Sequence, residues 1–234
     1  MIALIIVGSW FCHLCRLLSV ALSWGHIPSL LAAILLQTFL DTGLFITAHD
    51  AIHGSVYPAN RSINQWLGRL CAIAYAFLPY NTLAVNHWLH HRHPMSATDP
   101  DFHGTKALYG IKPMGFLTWY LHFIQQYWGW KQFLRLAGVV GLVGFVFRLS
   151  PINLGLFWGL PLVLSSLQLF YFGTYRPHQA VNNGQTCAKS QVLPWMWSLL
   201  ACYHFGYHQE HHDRPDIPWW ALPTFYHSQL RQTV

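Results

Sequence analysis

The sequence predicts an all-α integral membrane protein, with about four transmembrane helices and a helical cap on the cytoplasmic side. Composition is the first observation behind this prediction. Of the 234 residues, 53% are hydrophobic and only 9% are charged, against roughly 25% charged in an average soluble domain. The second observation is a set of long apolar stretches. The third is that many of the 16 histidines are grouped near the ends of such stretches. So few charges exclude a disordered chain and a charge-driven nucleic-acid-binding protein.

Four apolar stretches approach the length needed to cross a bilayer, which takes about 20 mostly apolar residues. They are residues 1–24, 27–48, 133–149 and 152–175. Pro161 is expected to bend the last of them. Two shorter stretches, Ile63–Val85 and Val192–Tyr203, contain Gly, Pro or Asn, so we expect interfacial or re-entrant helices there. We predict a single domain over residues 1–234.

Basic residues predict how these spans are oriented. The links Gly25-His26 and Ser150-Pro151 contain no Lys or Arg, whereas the segments after the second and fourth spans hold most of them. The positive-inside rule then places residues 49–132 and 174–234 on the cytoplasmic side, where they form one cap. Arg148 is an exception to this rule, because the assignment places its positive charge near the outer end of the third span.

Histidines concentrate in three short clusters. Residues at positions i, i+3 and i+4 share one face of a helix, so each cluster is expected to present its imidazoles on one side. Two HxxHH patterns in one chain are hard to attribute to chance. The isolated His13, His26, His122 and His227 are expected to lie beside lipid headgroups. The three clusters are His49-Asp-Ala-Ile-His53, His87-Trp-Leu-His90-His91 and His204-Phe-Gly-Tyr-His208-Gln-Glu-His211-His212.

This many imidazoles indicate two metal ions, because one zinc ion is satisfied by three or four protein ligands. Neutral imidazole suits Fe, Cu, Ni and Zn alike, so the residue types do not choose the metal. His204 shares the face of the third cluster, which leaves it either a ligand or a second-sphere donor. The nearby acids are expected to accept the other ring N–H of a ligating histidine. These acids are Asp50, Asp99, Asp101, Glu210 and Asp213.

A metal transporter is the alternative from another class of protein. Such a protein places polar ligands near the middle of the bilayer, along the path of the ion. Here the clusters lie at one end of the spans, and the spans themselves carry almost no such residues. The pattern therefore favours an enzyme.

The histidine clusters resemble the boxes of the membrane-bound fatty acid desaturase and hydroxylase superfamily. Segments within and beyond the boxes narrow the resemblance to the β-carotene ketolases of bacteria and cyanobacteria. These segments begin at Gln37, Trp119, Gln168 and Cys202 and read QTFLDTGLFITAHDAIHG, WYLHF, QLFYFGT and CYHFGYHQEHH. The similarity extends from about residue 37 to residue 222.

The resemblance implies which residues bind the metals. In the superfamily a further ligand stands on the last span, some thirty residues before the final box, and His178 holds that place here. A side chain facing lipid headgroups is the alternative for His178. The implied ligands are His49, His53, His87, His90, His91, His178, His208, His211 and His212.

The resemblance also implies the reaction: a di-iron centre that uses O₂ to oxidise C4 of β-ionone rings to a ketone. Two successive hydroxylations and loss of water convert β-carotene to echinenone and canthaxanthin, and zeaxanthin to astaxanthin. The two iron ions themselves are then the catalytic group. No nucleotide-binding fingerprint is evident, so electrons are expected from a ferredoxin or a similar carrier. A carotenoid hydroxylase or a lipid desaturase on the same scaffold is the alternative. The sequence does not specify an oligomeric state.

A carotenoid dissolves in the hydrocarbon of the bilayer, so its site is expected to open toward lipid just beneath the cap. Aromatic side chains near the clusters are expected to line such a slot. An aromatic belt at the membrane interface is the alternative for each of them. The aromatic residues concerned are Trp88, Trp119, Tyr127, Trp128, Phe170, Phe172, Tyr203 and Phe205.

Overall fold

The computed structural model is helical apart from two short β-hairpins. It describes residues 1–22, 27–107, 110–179, 181–182, 185–186 and 189–232. The helices are α1 (Ile2–Leu18), α2 (Ile27–Ile52), α3 (Arg61–Ala76), α4 (Tyr80–Arg92), α5 (Phe116–Tyr127), α6 (Trp130–Val146), α7 (Pro151–Leu154), α8 (Leu160–Leu169), α9 (Trp195–Cys202), α10 (His208–Asp213) and α11 (Leu222–Gln232). The π-helical segment Gly155–Gly159 joins α7 to α8, and a second π-helical segment, Phe170–Tyr175, extends α8, so that Pro151–Tyr175 form one long helix. A 3₁₀ turn, Trp219–Ala221, precedes α11. The antiparallel hairpins are β1 (Gly104–Ala107) with β2 (Gly110–Pro113) and β3 (Val181–Asn182) with β4 (Gln185–Thr186).

Two helices in the described part of the chain are long and apolar enough to cross a membrane. They are α2, with 26 residues, and the helix Pro151–Tyr175, with 25 residues. The other two predicted spans correspond to α1 and α6, each of 17 residues. Two of the four predicted spans therefore meet the criteria of length and composition, and the other two are shorter than expected.

The first helix ends at Leu18 rather than near residue 24. The side-chain amide of Asn153 donates to the carbonyls of Leu18 and Val20, at 3.1 and 2.8 Å. These bonds satisfy backbone acceptors that the end of a helix leaves free, so the chain leaves the helix there. The link Gly25-His26 lies outside the described residues.

Polar side chains within the apolar helices pair with one another at the helix contacts. Trp10 Nε1 donates to Asp41 Oδ1 at 2.6 Å, which joins α1 to α2. Thr42 Oγ1 lies 2.9 Å from Ser165 Oγ and 2.8 Å from Gln168 Oε1, which joins α2 to α8. Such pairs satisfy groups that hydrocarbon cannot solvate, and they fix α2 between its neighbours.

Several helices turn apolar side chains outward. None of the residues of α6 is buried, and Phe145 is 84% exposed. Trp195 and Trp197 on α9 are also exposed. Contiguous apolar surface of this kind marks a protein or membrane contact, and its position on the predicted spans suits lipid. The predicted interfacial stretches correspond to α3 with the start of α4, and to α9.

The C-terminal end of α2 is fixed by close packing against α3. A Cβ at Gly68 would lie 2.7 Å from the Cβ of Ala51 and would also clash with the ring of Tyr80, so only glycine allows this approach. Asn64 Nδ2 donates to the carbonyl of Ala51 at 2.6 Å. These contacts hold the last turn of α2 in place, and that turn carries the first histidine cluster.

Candidate metal centre

Nine histidines converge in two adjacent groups. Within each group, one ring nitrogen from every member lies within 4.8 Å of those of the others. All nine side chains are buried or half-buried. The first histidine group is His49, His53, His87, His91 and His211, and the second histidine group is His90, His178, His208 and His212.

Two of the helices that carry histidines, α4 and α10, contribute to both groups. On α4, His87 and His91 are four residues apart and join the first group, while His90 points into the second. On α10, His208 and His212 are four residues apart and join the second group, while His211 joins the first. Neither group is therefore complete without histidines from both α4 and α10.

Spacing between the nitrogens matches a ligand set. His91 Nε2 lies 3.0 Å from the Nε2 atoms of both His87 and His211. In the second group His90 Nε2 lies 3.1 Å from His212 Nε2. Ligands at right angles around an ion, each about 2.1 Å from it, lie about 3 Å apart. The residues present thus fit a metal ion in each group.

Hydrogen bonds on the far side of three rings favour the tautomer that a metal needs. The Nδ1 atoms of His90 and His178 pair with Asp99 Oδ2 and with the carbonyl of Thr174, at 2.9 and 2.6 Å. His49 Nδ1 faces the carboxylate of its neighbour at 3.3 Å. The opposite atoms, Nε2 of His49 and of His178, are buried without a hydrogen-bond partner among the described residues. A buried nitrogen left unpaired is costly, and a bound cation would satisfy it.

Burial also keeps most of these imidazoles neutral. Desolvation, reinforced by neighbouring imidazoles, lowers the pKa of His87, His208, His211 and His212 well below the usual value. Desolvation lowers the pKa of His178 to about 3. His90 is the exception: desolvation opposes protonation, but the Asp99 carboxylate raises its pKa. Neutral imidazole is the form that binds metals.

Acidic residues near the groups divide into two kinds. Asp50 and Asp99 accept from histidines of the two groups and also from backbone N–H groups. Asp101 lies with His90 and Asp99 in a third cluster and accepts the hydroxyl proton of Tyr127. Three of the five acids predicted to support histidines, Asp101 among them, make no hydrogen bond with a histidine among the described residues. Glu210 accepts from Ser190, and Asp213 is exposed.

A small cavity lies directly beneath the two groups. Its volume is about 40 Å³, and His49, His87, His90 and His208 form part of its wall. Beside it lies a larger apolar cavity of about 350 Å³ between α2, α3, α5 and α8. We call these the metal-side cavity and the apolar cavity. Four residues line both: Phe45, Phe123, Tyr127 and Leu169.

The chain matches a known family over most of its length. The model of the fatty acid desaturase family covers residues 22–234. The chain belongs to the fatty acid desaturase family.

Curated relatives of this desaturase-family protein include several ketolases. It is 40% identical over 192 residues to a β-carotene ketolase of a Paracoccus species, covering 80% of this chain and 75% of the relative. It is 40% identical over 207 residues to β-carotene 4-ketolase 3 of Haematococcus lacustris, covering 82% of this chain and 60% of the relative. It is 37% identical over 235 residues to a zeaxanthin 4-ketolase of Chlamydomonas reinhardtii, covering 94% and 49% respectively. These matches confirm the predicted resemblance to β-carotene ketolases.

His204 of this desaturase-family protein lies outside both groups, although the sequence placed it on the face of the third cluster. The helix is interrupted there: α9 ends at Cys202, and Tyr203 and His204 have positive φ angles of 48° and 60°. His204 is fully buried, and its ring lies 5.2 Å from that of Trp195. The shared-face argument assumed a continuous helix and therefore fails at this residue.

Only part of the predicted aromatic slot lines the two cavities. Phe205 lines the metal-side cavity, Trp128 lines the apolar cavity, and Tyr127 lines both. The other five pack elsewhere: Trp88 faces the outer surface beside His53, Trp119 and Phe170 are buried in a separate small core, Phe172 packs on the main core, and Tyr203 stacks on Phe39. Phe45 and Phe123 line both cavities but were not predicted to do so, because their positions depend on how distant helices pack.

Proposed function

We propose that this desaturase-family protein is a carotenoid 4-ketolase with two iron ions. It converts the C4 methylene of β-ionone rings to a keto group, β-carotene to echinenone and canthaxanthin and zeaxanthin to astaxanthin. The observation that carries the proposal is the pair of buried histidine groups next to two adjacent cavities that share four lining residues. Relatives named β-carotene and zeaxanthin 4-ketolases support the substrate class.

The nine grouped histidines are the proposed iron ligands. When bound, the irons supply the O₂-derived oxidising power that an alkyl C–H bond requires and that side chains lack. The protein's part is to hold the imidazoles neutral and oriented, through Asp50, Asp99 and the Thr174 carbonyl. Such supporting partners are usually as important to a metal site as the ligands themselves.

The reaction consumes electrons as well as O₂. Each hydroxylation inserts one oxygen atom into a C–H bond and reduces the other to water, using two electrons and two protons. Two hydroxylations at C4 give a gem-diol, which loses water to the ketone. One keto group therefore requires two O₂, four electrons and four protons, and it releases three water molecules. An external carrier, a ferredoxin or a similar protein, must supply those electrons.

The two cavities suit a ring that enters from the bilayer. Leu121 and Val163 line the apolar cavity and are exposed on the flank of the bundle, so the cavity adjoins lipid. A β-ionone ring that follows it meets Phe45 and Phe123, beyond which the metal-side cavity begins. Apolar walls bind the ring and exclude water, while the polyene remains among α5, α8 and lipid.

The proposal includes a multi-pass arrangement with four spans, of which α1 and α6 are the two short ones. Residues 49–132 and 174–234 then form a cap on the cytoplasmic side. The Lys and Arg distribution supports this orientation. It also gives a water-soluble electron carrier access to the side of the site that faces away from lipid.

Expression in a bacterium that accumulates β-carotene tests the proposal. Cells should form echinenone first and canthaxanthin later, in amounts that depend on O₂ and iron. His211→Ala should abolish ketone formation, while His227→Ala, on the exposed surface of α11, should leave it intact. Accumulation of 3-hydroxy carotenoids without ketones would identify a hydroxylase instead. Unchanged pigments with altered fatty acids would identify a desaturase.

A further inference from the structure

A depression separate from the apolar cavity borders the first histidine group. Its volume is about 480 Å³, and α3, α4 and the segment after α2 enclose it. None of its lining residues lines the apolar cavity. His53 lines it, so the depression reaches a histidine of the first group from outside.

Positive charge dominates this depression. Arg61, Gln65 and Arg69 are four residues apart on α3, so they share one helix face, and all three line the depression. Both arginines are exposed, and no Asp or Glu lines the depression. Among the described residues, neither guanidinium makes a salt bridge. The two charges are therefore free to meet an anionic partner.

An aromatic side chain connects this surface with the first histidine group. Trp88 lines the depression and is 37% exposed. Its ring centroid lies 4.9 Å from that of His53 and 5.7 Å from that of His91. Electron transfer through protein slows steeply with distance, so a ring in contact with both the surface and two grouped histidines offers a short route.

We propose that an acidic one-electron carrier protein docks on this depression and passes electrons through Trp88 to the metal ion that the first histidine group would hold. The proposal rests on the function proposed above, in which each keto group requires four electrons. Its occupant follows from charge complementarity, since unpaired arginines steer and orient an acidic partner. An anionic lipid headgroup would satisfy the arginines too, but it would make no use of the Trp88–His53 contact.

The test uses the full-length, iron-loaded protein in phosphatidylcholine nanodiscs and a [2Fe–2S] ferredoxin as the probe. Ferredoxin affinity is measured by titration at several salt concentrations. Arg61→Gln with Arg69→Gln should raise Kd about 3- to 10-fold at low salt, because rim charges mainly affect steering and salt dependence. The affinity of the double variant should also vary less with salt. Lys131→Gln, which removes an exposed positive charge on α6, is the matched control and should leave both properties unchanged.

Trp88 is tested by the rate at which reduced ferredoxin reduces the iron centre without O₂. Trp88→Leu should slow this reduction more than Trp88→Phe, while Kd and the iron content stay constant. An unchanged Kd and salt dependence in the double arginine variant would overturn the proposal. In parallel nanodiscs that also contain phosphatidylglycerol, loss of bound phosphatidylglycerol from that variant, with ferredoxin affinity unchanged, would overturn the proposal in favour of a lipid site. Ferredoxin binding and reduction without any ketone product would refute the proposed function and leave the docking surface standing.

Discussion

At the scale of single residues, the position of one proton decides which nitrogen of each imidazole is available to a metal. Asp99 accepts from His90 Nδ1 with both carboxylate oxygens, at 3.0 and 2.9 Å. It also accepts the backbone N–H groups of Met95 and Asp101. This carboxylate therefore holds both the ring of His90 and the loop behind it, and it leaves Nε2 of His90 directed into the second group.

Replacing Asp99 should weaken metal binding without removing a ligand. We expect Asp99→Asn to lower iron affinity by about 10- to 100-fold, the usual effect of losing a partner that orients a ligand. The amide keeps the size of the side chain but loses the charge and one acceptor oxygen. Iron retention against a chelator, measured on purified protein, gives the result. Asp213→Asn, at an exposed position, is the control, and equal iron retention in both variants would show that Asp99 has no orienting role.

At the scale of elements, the second π-helical segment shapes the floor of the metal site. Phe170–Tyr175 includes Gly173, which lines the metal-side cavity, and Thr174, whose carbonyl accepts from His178. Short π segments inside α-helices are often found at functional sites. Here the segment places a small residue opposite Phe205 and directs the chain toward His178.

Gly173→Ala tests the need for space in this cavity. A Cβ at Gly173 would lie 3.1 and 3.3 Å from Cδ1 and Cε1 of Phe205, so the added methyl group narrows the cavity and the ring of Phe205, which also lines it, must shift. We expect ketone formation to fall about tenfold or more, because small displacements of bound substrate are costly to catalysis. Iron content should be unchanged. Gly138→Ala, where a Cβ would meet no atom within 4 Å, should behave as the unaltered protein, and an equally active Gly173→Ala would contradict the assigned cavity.

Sequence patterns predicted elements well where the relevant contacts are local. The i, i+3, i+4 spacing predicted that imidazoles of one box would lie together, because one helix turn determines it. The same spacing could not predict which imidazole joins which group, since that depends on how α4 and α10 are rotated against each other. The end of α1 depends on Asn153, more than a hundred residues away. Neither hairpin was predicted, because the segments are short and carry no alternating pattern.

At the scale of the whole molecule, the routes proposed for substrate and for electrons reach the proposed metal site through separate surfaces. The apolar cavity adjoins the flank of the bundle, and the depression with Arg61 and Arg69 opens on the cap. This division requires the cap to face the cytoplasm, where reduced carriers are available. The numbers of Lys and Arg in the loops predict the cytoplasmic orientation from sequence. The cavities depend on tertiary packing, so the sequence could not predict them.

Cysteine labelling tests the orientation of the whole molecule. In a variant without native cysteines, residues introduced beside Arg61 and Lys189 should resist a membrane-impermeant reagent added from the periplasmic side. A cysteine at Ser150, in the link between α6 and α7, should react. Labelling beside Arg61 with protection at Ser150 would reverse the topology.

The central claim is that the two histidine groups each hold an iron ion, and the iron-to-protein ratio of the purified protein tests it most directly. We predict about two irons per chain. His53→Ala, in the first group, and His178→Ala, in the second, should each lower that ratio together with ketone formation, while His227→Ala should not. A ratio near two in the unaltered protein that remains near two, with full turnover, in both group variants would contradict the claim.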